Sequence, residues 1–183
     1  HQAERPAQRA FVDGIVGLTK ALDTSRCVVG NDGWEFSSGD LWTLHLYFEN
    51  RDVATRLDEL IADPSKSVTD EYGGHERAGA LPAAAVAGLP ILLTECGGIG
   101  FGRYSDSDFS YGDIPQSEEA LEQHIREITD MIDAAGSLQG FVWTQLTDIQ
   151  QEINGLLYFD RTPKLPLPIL RAIITSVGRN LGD

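Results

Sequence analysis

At 183 residues the chain is long enough for one domain with a buried core, and its 42% hydrophobic and 23% charged residues are those of an ordinary globular protein. A formal net charge of −14 opposes binding to phosphate backbones and anionic lipid surfaces, which depends on clustered Lys and Arg, so neither nucleic acid nor a membrane is an expected partner. No apolar run reaches the roughly 20 residues of a membrane-spanning helix. The two cysteines, Cys27 and Cys96, exclude a disulfide-stapled mini-domain and read as buried free thiols.

From Pro6 to Leu22 the apolar residues Phe11, Ile15, Leu18 and Leu22 recur at helical spacing, with a proline suited to the first turn, which predicts a one-sided surface helix. Cys27, Val28 and Val29 predict a short buried strand ending at Gly30-Asn-Asp-Gly33, and Leu41 to Tyr47 a second. Residues 33–40 leave no room for a helix between these two. Arg51 to Ala62 places Val53, Leu57, Leu60 and Ile61 on one helical face, closed by Pro64. Residues 63–89, with Gly73-Gly74 and Pro82, predict a long and partly irregular connection.

Leu89 to Gly98 is the strongest strand signal, apolar on both faces as in a parallel strand covered by helices. A polar loop follows over 99–117. Ser117-Glu-Glu then opens a helix that turns Leu121, Ile125, Ile128 and Ile132 inward and stops at Gly136. Leu138 to Leu146 predicts a fourth strand, and Pro168 to Val177 a last helix. Strands alternating with helices argue for an α/β fold with a parallel sheet, and no repeat or linker divides the chain.

Parallel α/β folds gather functional residues at the C-terminal ends of strands. Glu95 stands at such an end. By simple alternation it shares a face with Ile91 and Leu93, while Leu92, Thr94 and Cys96 share the other. Glu95 is then either a catalytic carboxylate at the mouth of the fold or a structural one, paired with an Arg or capping the next turn. His45 and Tyr47 end the second strand on one face, where an imidazole and a phenol can hydrogen-bond a ligand, against the alternative of a satisfied core histidine. Trp143 offers an aromatic face to the apolar side of a ligand, or simply packs. Gly97-Gly-Ile-Gly-Phe-Gly102 follows a strand, but no helix opens there, so it is not a dinucleotide loop. Asp106-Ser-Asp108 lacks the glycine and the closing glutamate of a calcium loop. Nothing in the sequence requires a metal or organic cofactor.

Thr94-Glu-Cys-Gly-Gly98, preceded by Pro90-Ile-Leu-Leu, resembles the nucleophile strand of glycoside hydrolase family 2, with Cys96 in place of the usual aromatic. Trp143-Thr-Gln-Leu-Thr-Asp-Ile-Gln-Gln-Glu-Ile-Asn-Gly-Leu156, with Tyr158-Phe-Asp-Arg161 and Pro163-Lys164, is similar to the eighth-strand segment of that family. Gly30-Asn-Asp-Gly-Trp-Glu35 and Leu44-His-Leu-Tyr47 resemble its fifth-strand and sixth-strand ends. The resemblance covers nearly the whole chain and implies the C-terminal half, strands five to eight, of a (β/α)₈ barrel, consistent with a length short of the about 250 residues of a complete one.

It further implies that Glu95 is the nucleophile of a retaining β-glycosidase, that His45, Tyr47 and Trp143 contact a carbohydrate substrate, and that Asp32, Trp34 and Glu35 line the entrance. The sugar is not identified; a β-galactosidase-like activity is the expectation. In the family the acid/base glutamate follows an asparagine, and no Asn-Glu pair occurs here. That residue is expected shortly upstream of His1. The expected partners are therefore the N-terminal half of the barrel or a second copy of the chain. A carbohydrate-binding remnant without turnover, or an idle structural half-barrel, is the alternative.

Overall fold

A computed structural model of the chain describes residues 5–47, 53–70, 75–82, 84–102, 110 and 114–178. In chain order the elements are α1 (Pro6–Leu22), β1 (Trp42–His45), α2 (Val53–Ala62), β2 (Ser67–Asp70), β3 (His75–Ala78), β4 (Ile91–Gly97), α3 (Glu118–Ala134), β5 (Leu138–Thr144) and α4 (Leu167–Ile174). Three strands form one sheet in the order β1-β4-β5, with β1 and β4 parallel, while β2 and β3 make a separate antiparallel pair. The calcium-loop comparison at Asp106 and Asp108 falls outside the described residues.

Two compact units divide the chain. The first holds α1, β1, most of α2, the β2–β3 pair and the starts of β4 and β5. Its core is Phe36, Trp42, Leu44, Leu57, Leu60, Val68, Leu81 and Leu93, all at most 3% exposed. Gly79 joins these parts. A Cβ there would lie 3.3 Å from Leu60 of α2, from Trp42 of β1 and from the Pro64 carbonyl, and the Trp42 indole N–H donates to the Gly79 carbonyl at 3.1 Å. The second unit holds α3, α4, the ends of β4 and β5, and the long segment between β5 and α4. Ser117 caps α3 by accepting from the Ala120 N–H at 3.2 Å, and Glu118 and Glu119 complement the positive end of the helix dipole. The predicted stripe of Leu121, Ile125, Ile128 and Ile132 is buried, and α3 packs on α4, whose Leu170 and Ile173 are buried.

Several expectations are corrected. Cys27–Val29 is not a strand, and the sheet has three strands among the described residues instead of four: Val28 donates its N–H to the Asp40 carboxylate (2.9 Å) and accepts from the Asp40 N–H (2.8 Å), so its polar groups are satisfied by a loop. Only Val29 bridges, to Gly39, and the Cys27 thiol is exposed while Cys96 is buried. The connection expected to be long and partly irregular over 63–89 contains the β2–β3 pair. The α1 stripe faces outward, with Phe11 67%, Ile15 46%, Leu18 55% and Leu22 80% exposed. α1 instead leans on its own unit through Val12 and Val16, which flank Gly30, and through Asp13, which accepts from the Ser38 hydroxyl at 2.7 Å.

Candidate functional site

The end of β4 owes its geometry to an interruption in the β1–β4 ladder. Leu44 pairs with Leu93 but His45 pairs with Glu95, so Thr94 is one extra residue on β4, a bulge of the kind that re-aims side chains beside functional sites. Alternation predicts that Thr94 and Glu95 point apart. The bulge cancels that, and both reach the same cluster. The Thr94 hydroxyl donates to Asp32 Oδ1 at 2.6 Å, and His45 Nε2 lies 3.1 Å from Asp32 Oδ2. His45 Nδ1 lies 3.2 Å from Glu95 Oε2, at ion-pair distance but without the alignment of a hydrogen bond. One imidazole therefore stands between two carboxylates. Its side chain is 9% exposed, against 39% for Glu95 and 53% for Asp32, so the carboxylates are open to solvent and the ring that joins them is not.

The loop before β1 supplies the rest. Gly33 donates its N–H to the Thr43 hydroxyl (3.2 Å) and accepts from the His45 N–H (3.1 Å), which sets Asp32 over the imidazole. Partial burial pushes the Asp32 carboxyl up, but hydrogen bonds from Thr94, Thr43 and His45 outweigh it and hold the group below its usual range. Trp34 meets His45 edge to face at 4.8 Å, and the Arg77 guanidinium lies 4.2 Å over the Trp34 ring. Arg77 Nε is buried with no hydrogen-bond partner among the described residues. Sequence reasoning missed Arg77, and it assigned no role to Thr94, whose signal was its place in the Thr94-Glu-Cys-Gly-Gly98 segment beside Glu95.

Asp32, Trp34, His45 and Glu95 are thus brought together within the first unit. Glu35 is not at an open entrance: it is 5% exposed, with φ +48°, and its N–H donates to the Ala78 carbonyl at 2.6 Å. Tyr47 and Trp143 belong to the second unit. Trp143 is half-buried against Gly97, where a Cβ would come within 2.6 Å of the indole ring.

Gly33 is required twice. Its φ is +86°, and an added Cβ would stand 2.4 Å from the His45 ring. Gly33→Ala is expected to destabilise the fold by about 1–3 kcal/mol through left-handed strain and displacement of the imidazole. Urea unfolding together with the His45 ring resonances checks this; wild-type stability with unmoved resonances would contradict the geometry.

No protein-family model and no curated protein matches the chain. Among solved structures it is similar to a GH2 β-galacturonidase from Eisenbergiella tayi bound to glycerol, with 18% identity, a TM-score of 0.60, and coverage of 96% of this chain and 31% of that one. The galacturonate-bound form matches at the same identity and TM-score over 32% of its chain. A β-glucuronidase from Lactobacillus rhamnosus matches at 16% identity and a TM-score of 0.50, over 88% of this chain and 28% of its own. At this identity the likeness is one of fold: the chain has a glycoside-hydrolase-like α/β fold and spans about a third of the length of the first two structures.

Proposed function

We propose that the chain is the nucleophile-bearing part of a retaining β-glycoside hydrolase, the C-terminal half of a (β/α)₈ barrel with Glu95 as nucleophile. The observation that carries this reading is the position of Glu95 at the end of β4, the middle strand of the β1-β4-β5 sheet, with His45 beside it, in a fold like that of family 2 glycosidases. A retaining mechanism needs two carboxyl groups about 5–5.5 Å apart, one to attack the anomeric carbon and one to protonate the leaving oxygen. Asp32 is not suited to the second role, because a general acid must hold a proton and this carboxyl lies below its usual range. The acid/base glutamate belongs to the other half of the barrel.

In the first half-reaction a Glu95 oxygen forms a bond to the anomeric carbon while the bond to the leaving oxygen breaks and that oxygen takes the acid's proton. Water then reverses the sequence, releasing sugar with its original configuration. Substrates of the Eisenbergiella and Lactobacillus enzymes make uronosides part of the test. 2-Deoxy-2-fluoro glycosyl fluorides of the galacto, glucurono and galacturono series are expected to leave a covalent sugar on the peptide bearing Glu95 in the full-length protein, read by mass spectrometry. Turnover with the label on another residue would remove the assignment.

The exposed stripe of α1 supports the partner reading. A stripe of four exposed apolar side chains is the kind of surface that another part of a longer polypeptide, or a second copy, covers. The chain alone is expected to self-associate, and Ile15→Glu with Leu18→Glu to shift it toward monomer in sedimentation velocity. A monodisperse wild-type monomer that binds no exposed-surface dye would count against the half-barrel.

A further inference from the structure

We propose that Asp32 is a positioning residue for Glu95, not a sugar contact, and that it acts through Thr94 and His45. The inference rests on the reading of Glu95 as nucleophile. Both Asp32 oxygens are engaged, Oδ1 by the Thr94 hydroxyl at 2.6 Å and Oδ2 by His45 Nε2 at 3.1 Å. Each of those partners governs Glu95 by a separate route. Thr94 is the extra residue of the bulge, so holding its side chain fixes the backbone from which Glu95 projects. His45 is the ladder partner of Glu95, and its other nitrogen stands 3.2 Å from Oε2.

Rigid support matters at this point. Past the bulge the β1–β4 contact continues, among the described residues, through the Leu46 N–H to the Glu95 carbonyl at 3.0 Å, and the Glu95 side chain is 39% exposed. A carboxylate that must meet an anomeric carbon from one side loses rate steeply when its approach is misplaced by about 1 Å. One acidic side chain that grips the bulge and the neighbouring ring at once removes both sources of play. Asp32 is itself fixed from behind, since the next residue, Gly33, is tied to Thr43 and His45 through its backbone.

The test uses the full-length protein and the fastest of three substrates, the 4-nitrophenyl β-galactoside, β-glucuronide and β-galacturonide. Thr94→Val is expected to lower kcat about tenfold to 100-fold with KM changed less than about twofold, and Thr94→Ser to restore it. Asp32→Ala should lower kcat likewise, and the double variant should be no worse than Asp32→Ala alone, because both changes cut one linkage. A rise in KM with kcat kept in Asp32→Ala would make Asp32 a sugar contact and overturn the proposal; so would effects that multiply. Long-range proton–nitrogen correlation of the His45 ring is the readout that needs no turnover. Asp32→Asn should move the Nε2 resonance and Glu95→Gln the Nδ1 resonance. An unmoved Nε2 overturns the positioning role by itself, whereas undiminished activity in Glu95→Gln overturns the nucleophile reading, so the two failures are told apart.

Discussion

Glu95→Gln in the full-length protein is expected to lower kcat for β-glycosides by about 10⁴-fold to 10⁶-fold, the range in which loss of an enzymatic nucleophile falls. The amide keeps the size and one acceptor of the carboxylate but cannot form the acyl-linked glycosyl intermediate, so the loss should appear in kcat with little change in KM. Glu95→Ala offers a sharper check: azide admitted to the emptied space would attack the anomeric carbon from the nucleophile's side and give an α-glycosyl azide from a β-glycoside. Full activity in Glu95→Gln, or a β-configured azide product, would end the assignment.

Much of the frame behind that site is legible in the residues. The α3 stripe announced both a helix and its buried face, because the surface that covers it lies in the same unit. The α1 stripe announced a helix equally well, yet periodicity reports only that a face is apolar, not what covers it. Composition misled at Cys27–Val29, where a strand-like run is anchored by the Asp40 carboxylate instead of a neighbouring strand. It also hid β2 and β3, whose residues are largely polar. At the candidate site, the places of Glu95 and His45 at strand ends were legible in the sequence. Their relation to Thr94 was not, since a bulge is a mismatch between two strands and neither sequence records it alone. Asp32 and Thr94 stand 62 positions apart, and only the fold brings a loop carboxylate to a strand hydroxyl.

Lys164→Met is expected to destabilise the fold by about 3–5 kcal/mol, the usual cost of removing one member of a buried ion pair. Lys164 is set among prolines and leucines, in Pro163-Lys-Leu-Pro-Leu-Pro168, and its side chain is 1% exposed. Its ammonium donates at 2.7 Å to both Asp148 Oδ1 and the Ile153 carbonyl and sits 5.4 Å from the Tyr158 ring, while the same Asp148 oxygen accepts the Gly155 N–H at 2.9 Å. These contacts fasten the segment after β5 to itself. Methionine matches the length of the stem but leaves the Asp148 carboxylate, 8% exposed, without its cation. The pair is not thereby a large net source of stability. Burial pushes the Lys164 ammonium down, and Asp148 only partly reverses it, so the unfolded chain holds this proton more tightly than the folded one. The contribution of Lys164 should therefore make stability rise with pH in the interval just below its ordinary 10.5, and that slope should vanish in Lys164→Met. Replacing both partners, Asp148→Leu with Lys164→Met, should recover a large part of the single-variant loss, because no buried charge is then left alone. Urea midpoints of the wild type, both single variants and the double variant decide it. A Lys164→Met midpoint equal to wild type, or a double variant that sums the two losses, would show that the ammonium does not hold this segment.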